Sequence, residues 1–282
     1  MKTTAELESI ASQVRRDILR MTTAAKSGHP GGSLGTADWM VAMQFNLMDH
    51  DPEHFTMSGE GQDMLFVSQG HITPVIYSTM ARRGFFPVAE LNTFRRFGTR
   101  LQGHPSTAHN LPGIRMASGS LGQGLSVGIG AAIGKKMTGD SHLVYTLHGD
   151  GELEEGQIWE AAMFAGAKHV DNLIATVDYN HQQIDGTTME VMDLGDLKAK
   201  FESFGWTVVV IANGNNMQQV LDGMQQARSL TGMGHPVMVI LTTEMGFGVD
   251  FMQGTNKYHG AVVGADDLPK ALAQINETLG DF

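Results

Sequence analysis

Two polar turns, each following an apolar run, carry the side chains best suited to chemistry. Gly149-Asp150-Gly151 follows the apolar run 142–147, and Asn180 closes a second run, 172–178. Such runs are typical of buried parallel strands, and the helix-compatible residues between them complete a strand–turn–helix–strand unit. The carboxyl ends of parallel strands meet at one edge of a sheet, where doubly wound folds bind their ligands. We therefore expect Asp150 and Asn180, 30 residues apart, to lie close together.

A carboxylate, an amide oxygen and main-chain carbonyls at one sheet edge are suited to a hard divalent cation. Such a cation prefers oxygen ligands and usually shares them with substrate phosphates. Glycine amides and a helix N-terminus would bind the remaining negative charge of a diphosphate. The alternative is that Gly149-Asp150-Gly151 is only a tight turn and Asn180 only a loop residue. The pairing of two strand ends favours a metal–diphosphate site.

With five further segments, this unit resembles transketolase. A Gly-Asp-Gly turn closed by an asparagine about thirty residues later is similar to the thiamine-diphosphate motif of that family. The resemblance spans nearly the whole chain, and the other segments follow in the order expected for the family: Ser27-Gly28-His29-Pro30-Gly31, Gly70-His71, Gln102-Gly103-His104-Pro105, Gly119-Ser120-Leu121-Gly122-Gln123-Gly124 and Tyr258-His259-Gly260.

The resemblance implies two cofactors, thiamine diphosphate and Mg²⁺ (or Ca²⁺ or Mn²⁺ in its place). It implies metal ligands at the side chains of Asp150 and Asn180 and at the main-chain carbonyl of Gln182. His29, His104 and His259 are expected to face the sugar substrate as catalytic residues. The residues expected to bind the cofactor are His71, Gly119, Ser120, Leu121, Asp150, Gly151, Asn180, Asp185 and His259.

Two positions depart from the commoner family pattern, and one has two interpretations. Ser120 stands where the family usually has proline, and Gln182 stands where it often has an aliphatic residue; both should act through the main chain. Glu155 matches a family glutamate in a carboxylate network across the subunit interface, which would make it catalytic. The alternative is that it only complements the helix dipole, as we expect for Glu152 and Glu154.

Composition and charge exclude several classes of protein. A chain of 282 residues with 41% hydrophobic composition can bury a large core. Its formal net charge of −11 argues against nucleic acid or an anionic membrane as a partner. The absence of cysteine excludes disulfides and thiolate chemistry. The start of the chain does not resemble a secretory signal, so we expect a cytoplasmic protein.

The pattern predicts an α/β fold with a central, mostly parallel sheet, helices on both faces and a single domain, 1–282. A glycine-rich helical segment, 119–139, needs close packing against another helix or a partner subunit to offset the cost of its glycines. The remaining predicted helices are 4–26, 35–48, 71–83, 85–97, 156–169, 194–204, 217–230 and 266–279, and the predicted strands are 64–68, 142–147, 172–178, 206–212 and 236–243.

What the chain lacks indicates a partner. Thiamine catalysis requires a glutamate that activates the cofactor, and in transketolases it belongs to a second domain. We therefore expect the N-terminal subunit of a split transketolase, active only with a C-terminal subunit that carries the pyrimidine-binding domain and the activating glutamate. It would transfer a two-carbon ketol unit from a ketose phosphate to an aldose acceptor. The alternatives are another thiamine enzyme, such as deoxyxylulose-phosphate synthase, and a non-catalytic cofactor-binding subunit.

Overall fold

A computed structural model describes all residues, 1–282. The strands are β1 Met64–Val67, β2 Val144–Gly149, β3 Leu173–Tyr179, β4 Gln182–Gln183, β5 Gly186–Thr187, β6 Thr207–Ile211 and β7 Val237–Thr242. The α-helices are α1 Thr4–Ala25, α2 Pro30–Gly35, α3 Ala37–Ala42, α4 Thr73–Arg83, α5 Gly124–Thr138, α6 Gly156–Ala167, α7 Thr188–Val191, α8 Leu197–Ser203, α9 Met217–Ser229 and α10 Leu268–Leu272. None of these helices is long and apolar enough to cross a membrane.

The central sheet has five parallel strands in the order β1-β2-β3-β7-β6. Because successive side chains of a strand point to opposite faces, each strand contributes to two cores. On β2, Tyr145 and Leu147 pack into the core formed with α1, α3, α4 and α9, whereas Val144 packs into the core formed with α5, α6 and α8. The predicted α/β fold with helices on both faces is confirmed.

The predicted pairing of the two strand ends is also confirmed. Gly149, the last residue of β2, pairs with Asp178 of β3 in parallel register. Asp150 and Asn180 therefore follow neighbouring strands at the same edge of the sheet. A short antiparallel hairpin, β4 with β5, comes directly after Asn180.

The glycine-rich segment packs mainly against the sheet rather than against another helix. A Cβ on Gly128 would lie 2.3 Å from the Thr146 side chain of β2, and one on Gly124 would lie 2.4 Å from Ser68. A Cβ on Gly130 or Gly134 would meet nothing within 4 Å. Two of these glycines thus allow α5 to approach the strands closely, and the other two lie beside open space.

Two of the predicted helices are wrong in type or extent. The segment 85–97 contains only a short 3₁₀ helix, Val88–Thr93, and Arg95 then turns into the left-handed region with φ 55°. The segment 266–279 is helical only over α10. The main-chain amides of Thr278 and Leu279 instead donate to the Gln13 side chain of α1, each at 3.0 Å, so this part of the backbone is bonded to another helix.

Candidate cofactor site at the carboxyl edge of the sheet

A cavity of about 260 Å³ opens at the carboxyl edge of β2 and β3. It brings together most of the residues predicted to bind the cofactor, the metal or the sugar. Those that line it are His29, His71, His104, Gly119, Leu121, Asp150, Gly151, Asn180, Gln182 and His259. Ser120, Asp185 and Glu155 are exposed and do not line it, so their predicted roles remain predictions.

Asp150 is buried, and main-chain amides surround its carboxylate. The amide of Gly151 donates to Oδ1 at 2.8 Å and that of His181 donates to Oδ2 at 2.6 Å. Burial, with a further contribution from the nearby carboxylate of Asp178, raises the pKa of Asp150 to about 8 against these hydrogen bonds. A cation beside this carboxylate would offset both effects, and the site therefore fits one.

Asp178 orients the amide group of Asn180. The Nδ2 of Asn180 donates to Oδ2 of Asp178 at 3.0 Å, so its amide oxygen is turned to the other side, where it accepts from the main-chain amide of Gln182 at 3.0 Å. Burial raises the pKa of Asp178 itself to about 6, and hydrogen bonds from Thr243 and Asn180 partly oppose that rise. Sequence reasoning missed Asp178, although a carboxylate inside an apolar strand was a visible signal.

No three His, Cys, Asp or Glu side chains of the chain are arranged to hold a metal ion. The predicted ligand set contains a single carboxylate, an amide oxygen and a carbonyl, so it does not depend on such a cluster. Mg²⁺ commonly binds through one or two protein carboxylates and completes its shell with water and phosphate oxygens. The donor set at the strand ends is of this kind.

Four histidines form a cluster in the same cavity. The ring centroid of His29 lies 5.2 Å from that of His71, 6.2 Å from that of His104 and 5.8 Å from that of His259. The ring centroids of His71 and His259 are 5.0 Å apart. The Nδ1 atoms of His29 and His259 are buried without a hydrogen-bond partner. Unpartnered buried polar atoms are costly, so these nitrogens are available for the polar groups of a ligand.

The local environment keeps these four imidazoles neutral. Burial lowers the pKa of His29 to about 4, and repulsion from His259 when protonated, from the guanidinium of Arg95 and from His104 when protonated adds to this effect. Burial also lowers the pKa of His71, His104 and His259 below the usual histidine range. A neutral imidazole has one nitrogen that donates and one that accepts. At neutral pH each ring can therefore hold a hydroxyl group or take up a proton.

The loop that carries His259 is packed directly onto the segment that carries His29. A Cβ on Gly31 would lie 2.7 Å from the carbonyl oxygen of Tyr258, and the amide of Gly246 donates to the carbonyl of Gly31 at 2.9 Å. Glycine is needed at position 31 because the two backbones approach each other so closely. This packing fixes two distant histidines of the sequence in one site.

Glu152 is not the simple dipole-complementing residue that the sequence suggested. It is buried, and its carboxylate accepts from the Ser68 hydroxyl, from the Gly122 amide at 2.7 Å and from the Gly149 amide at 3.1 Å. Burial alone would raise the pKa of Glu152, but the facing His148 and these hydrogen bonds lower it below the usual value. Glu152 thus joins the Gly-Asp-Gly turn to the loop before α5.

Gln183 was also missed from the sequence. Its Nε2 donates to Glu154 at 2.8 Å, and it lies so near the turn that a Cβ on Gly151 would be 3.2 Å from its side chain. The hairpin β4–β5 holds it at the cavity. The polar pair Gln182-Gln183 in the sequence does not indicate that Gln183 lies at the cavity, because its placement depends on the hairpin β4–β5.

Nearly the whole chain matches a family model. Residues 7–280 match the model described as transketolase, thiamine diphosphate binding domain. This chain belongs to the transketolase family. The thiamine-diphosphate-binding character of the domain is therefore established.

Relatives of similar length are subunits of transketolases. The chain is 38% identical over 272 residues to the 6-deoxy-6-sulfo-D-fructose transketolase subunit SqwG of Clostridium sp. (strain MSTE9), covering 96% of this chain and 97% of the relative. It is 34% identical over 276 residues to an apulose-4-phosphate transketolase subunit of Phocaeicola vulgatus, covering 98% and 95%. The chain thus corresponds to the N-terminal subunit of a split transketolase, and the comparisons do not favour deoxyxylulose-phosphate synthase.

Solved transketolases share the fold. The transketolase of Campylobacter jejuni superposes with a TM-score of 0.88 at 30% identity, covering 98% of this chain and 43% of that one. The Pichia stipitis transketolase complex with sedoheptulose 7-phosphate gives a TM-score of 0.88 at 30% identity, covering 99% and 42%. The chain therefore spans less than half the length of these single-chain transketolases.

In the chain free of metal and cofactor, Asp150→Asn should be more stable than the wild type, increasingly so as the pH rises from about 4 to about 8. The unfolded carboxyl ionises near 3.8 and the folded one near 8, so between these values ionisation opposes folding. The histidines destabilise both proteins equally at acid pH, so they do not affect the difference. Urea unfolding across this pH range measures it.

Asp266→Asn is the matched control, because Asp266 is exposed and its replacement should leave stability unchanged at every pH. Equal stability of wild type and Asp150→Asn at all pH values would contradict the burial of the Asp150 charge.

Proposed function

We propose that residues 1–282 act as one domain that binds Mg²⁺ and thiamine diphosphate within a two-subunit transketolase. The enzyme transfers a two-carbon ketol unit from a ketose phosphate to an aldose acceptor. The convergence of Asp150, Asn180 and four histidines on one cavity at the sheet edge carries this proposal. The two groups of residues suit the two parts of the task, holding a diphosphate and holding a sugar.

Mg²⁺, or Ca²⁺ or Mn²⁺ in its place, would bind the carboxylate of Asp150, the amide oxygen of Asn180 and the main-chain carbonyl of Gln182. The Gly-Asp-Gly turn and the ring of His71 would hold the diphosphate. Gly119 and Leu121 also line the cavity and would contact the rings of the cofactor through main chain and apolar side chain.

When bound, thiamine diphosphate supplies the nucleophilic carbon that allows the C2–C3 bond of a ketose to break. The work left to this chain is to orient the sugar and to move protons. Neutral His29, His104 and His259 would hold the sugar hydroxyls and exchange protons with them. General acid–base catalysis of this kind typically contributes about 10²–10⁴-fold in rate.

The activating glutamate would come from a C-terminal partner subunit, in an assembly of two copies of each chain. Apolar side chains follow the strand-end loop and are exposed in this chain: Ile184, Met189, Val191 and Met192. A run of exposed apolar residues next to a site is suited to a protein interface. The partner would cover this run and close the cavity.

The names of the relatives also bear on the substrate. One is named for 6-deoxy-6-sulfo-D-fructose and the other for apulose 4-phosphate, sugars that carry a sulfonate and a phosphate respectively. We infer a ketose with an anionic group at its far end for this chain as well, held largely by residues of the partner subunit.

Reconstitution with the partner subunit tests the proposal. This chain alone, with Mg²⁺ and thiamine diphosphate, should show no two-carbon transfer, and adding the partner should produce it. Release of carbon dioxide from pyruvate would instead indicate deoxyxylulose-phosphate synthase. Full activity of the chain alone would contradict the split enzyme, and cofactor binding without any transfer would indicate a non-catalytic subunit.

A further inference from the structure

Arg95 has an unusual backbone conformation close to the histidine cluster. Its φ is 55°, in the left-handed region that non-glycine residues seldom adopt. Its amide donates to the carbonyl of Leu101 at 2.9 Å, which closes the turn 95–101. Strained residues of this kind persist only where the surrounding contacts over-determine them, and they concentrate at functional sites.

The guanidinium of Arg95 spans two segments that each carry a histidine of the site. Its Nη1 donates to the hydroxyl of Ser27 at 2.8 Å, and its Nη2 donates to the carbonyl of Gly103 at 3.2 Å. Ser27 precedes His29 by two residues, and Gly103 directly precedes His104. No carboxylate forms an ion pair with Arg95, and its Nε has no hydrogen-bond partner.

The fit between Arg95 and the second segment is close. A Cβ on Gly103 would lie 2.7 Å from the Cζ of Arg95, so position 103 is glycine where the guanidinium passes. The hydroxyls of Thr73 and Tyr77 also donate hydrogen bonds to this segment, to the carbonyls of Gly103 and Gln102 respectively. Both residues belong to α4, so these bonds fix the segment to that helix and not to the segment of His29. Arg95 is the side chain that joins it to the segment of His29.

We propose that Arg95 is a positioning residue that holds His29 and His104 in register by bridging Ser27 and Gly103. The inference rests on the proposed transketolase function and adds to it a residue outside the cofactor and sugar contacts. A guanidinium suits this task because its planar fork offers several donors in fixed directions. Misplacing a reacting group by about 1 Å can cost on the order of 100-fold in rate.

The charge of Arg95 has a second consequence at the same two rings. Burial lowers the pKa of His104, and the charge of Arg95 lowers it further. His29 is faced by His71, His104, His259 and Arg95. After burial, repulsion from His259 when protonated and from the guanidinium of Arg95 lowers the pKa of His29. Removing the guanidinium should therefore raise the pKa of both imidazoles.

Arg95→Asn, measured in the complex with the partner subunit, tests the proposal. Asparagine tolerates the left-handed region, so the turn should still form, but its side chain cannot bridge the two segments. We expect kcat to fall on the order of 100-fold with cofactor affinity and thermal stability unchanged. The acid limb of the pH profile should move to higher pH. Arg95→Lys should restore the pH profile and part of kcat.

Arg100→Asn is the matched control, because Arg100 lies in the same turn but pairs with Glu90 at 2.6 Å. It should leave kcat and the pH profile unchanged. An Arg95→Asn enzyme with unchanged kcat and acid limb would overturn the proposal. So would a variant that loses cofactor affinity and stability together with activity, since that pattern indicates a merely structural residue.

NMR titration of His29 and His104 in the full chain separates this inference from the proposed function, because it needs no activity. Both pKa values should rise in Arg95→Asn and stay unchanged in Arg100→Asn. Unchanged values in Arg95→Asn would overturn the inference even if the wild-type complex is an active transketolase. A wild-type complex without two-carbon transfer would refute the proposed function while the titration still reports on the bridge.

Discussion

Asp150→Asn should abolish two-carbon transfer by the complex of this chain with its partner subunit. The substitution removes the one carboxylate of the predicted metal ligands and preserves the shape of the side chain. Losing only an outer partner of a metal ligand typically costs about 10–100-fold in metal affinity, so losing a ligand should cost at least about 100-fold. Calorimetric titration with thiamine diphosphate and Mg²⁺ measures the loss of affinity, and a transfer assay measures the loss of activity.

Asp266→Asn serves again as the control for an exposed aspartate and should bind the cofactors normally. Because Asp150→Asn should fold at least as well as the wild type, unfolding cannot explain a loss of binding. Wild-type affinity in Asp150→Asn would show that the strand-end carboxylate does not hold the metal.

His104→Ala should retain cofactor binding and lose most turnover. His104 is an exposed residue at the cavity edge, and only part of its ring is shielded from solvent. Its removal therefore leaves no fully buried hole, and the effect should be chemical rather than structural. Because the substitution removes general acid–base catalysis and hydroxyl binding by this histidine, we expect kcat to fall about 100-fold or more. Steady-state kinetics of the complex and a calorimetric titration of the cofactors check the two halves of this prediction.

His109→Ala is the matched control for this loop. His109 is exposed in a short 3₁₀ helix five residues after His104, and its loss should change neither kcat nor cofactor affinity. Unchanged turnover in His104→Ala would remove His104 from the catalytic residues, and a large effect of His109→Ala would show that the loop as a whole is sensitive.

The strands and the edge of the sheet could be predicted because their signals are local. The apolar runs before Asp150 and Asn180 are typical of buried strands, and the register of parallel neighbours then places their ends together. The glycines at positions 149 and 151 marked the turn between strand and helix. Four separate motifs contain the clustered histidines, and the periodicity of the sequence could not show that these four side chains lie close together.

The remaining features depend on contacts between distant segments. The segment 85–97 has buried Leu91 and Phe94 at a spacing that also fits a helix, but Pro87 and the turn at Arg95 confine it to a short 3₁₀ helix. Glu152 became a buried hydrogen-bond centre only because Ser68 and Gly122 approach it from other elements. Such partners are invisible in a local sequence pattern.

A crystal structure of the complex with Mn²⁺ and thiamine diphosphate, analysed by anomalous scattering, would locate the metal relative to the strand ends. Manganese takes the oxygen ligands that magnesium takes and can be located without ambiguity. We expect one manganese peak bonded to a carboxylate oxygen of Asp150, the amide oxygen of Asn180 and the main-chain carbonyl of Gln182. A peak elsewhere, or a diphosphate bound away from these strand ends, would contradict the account.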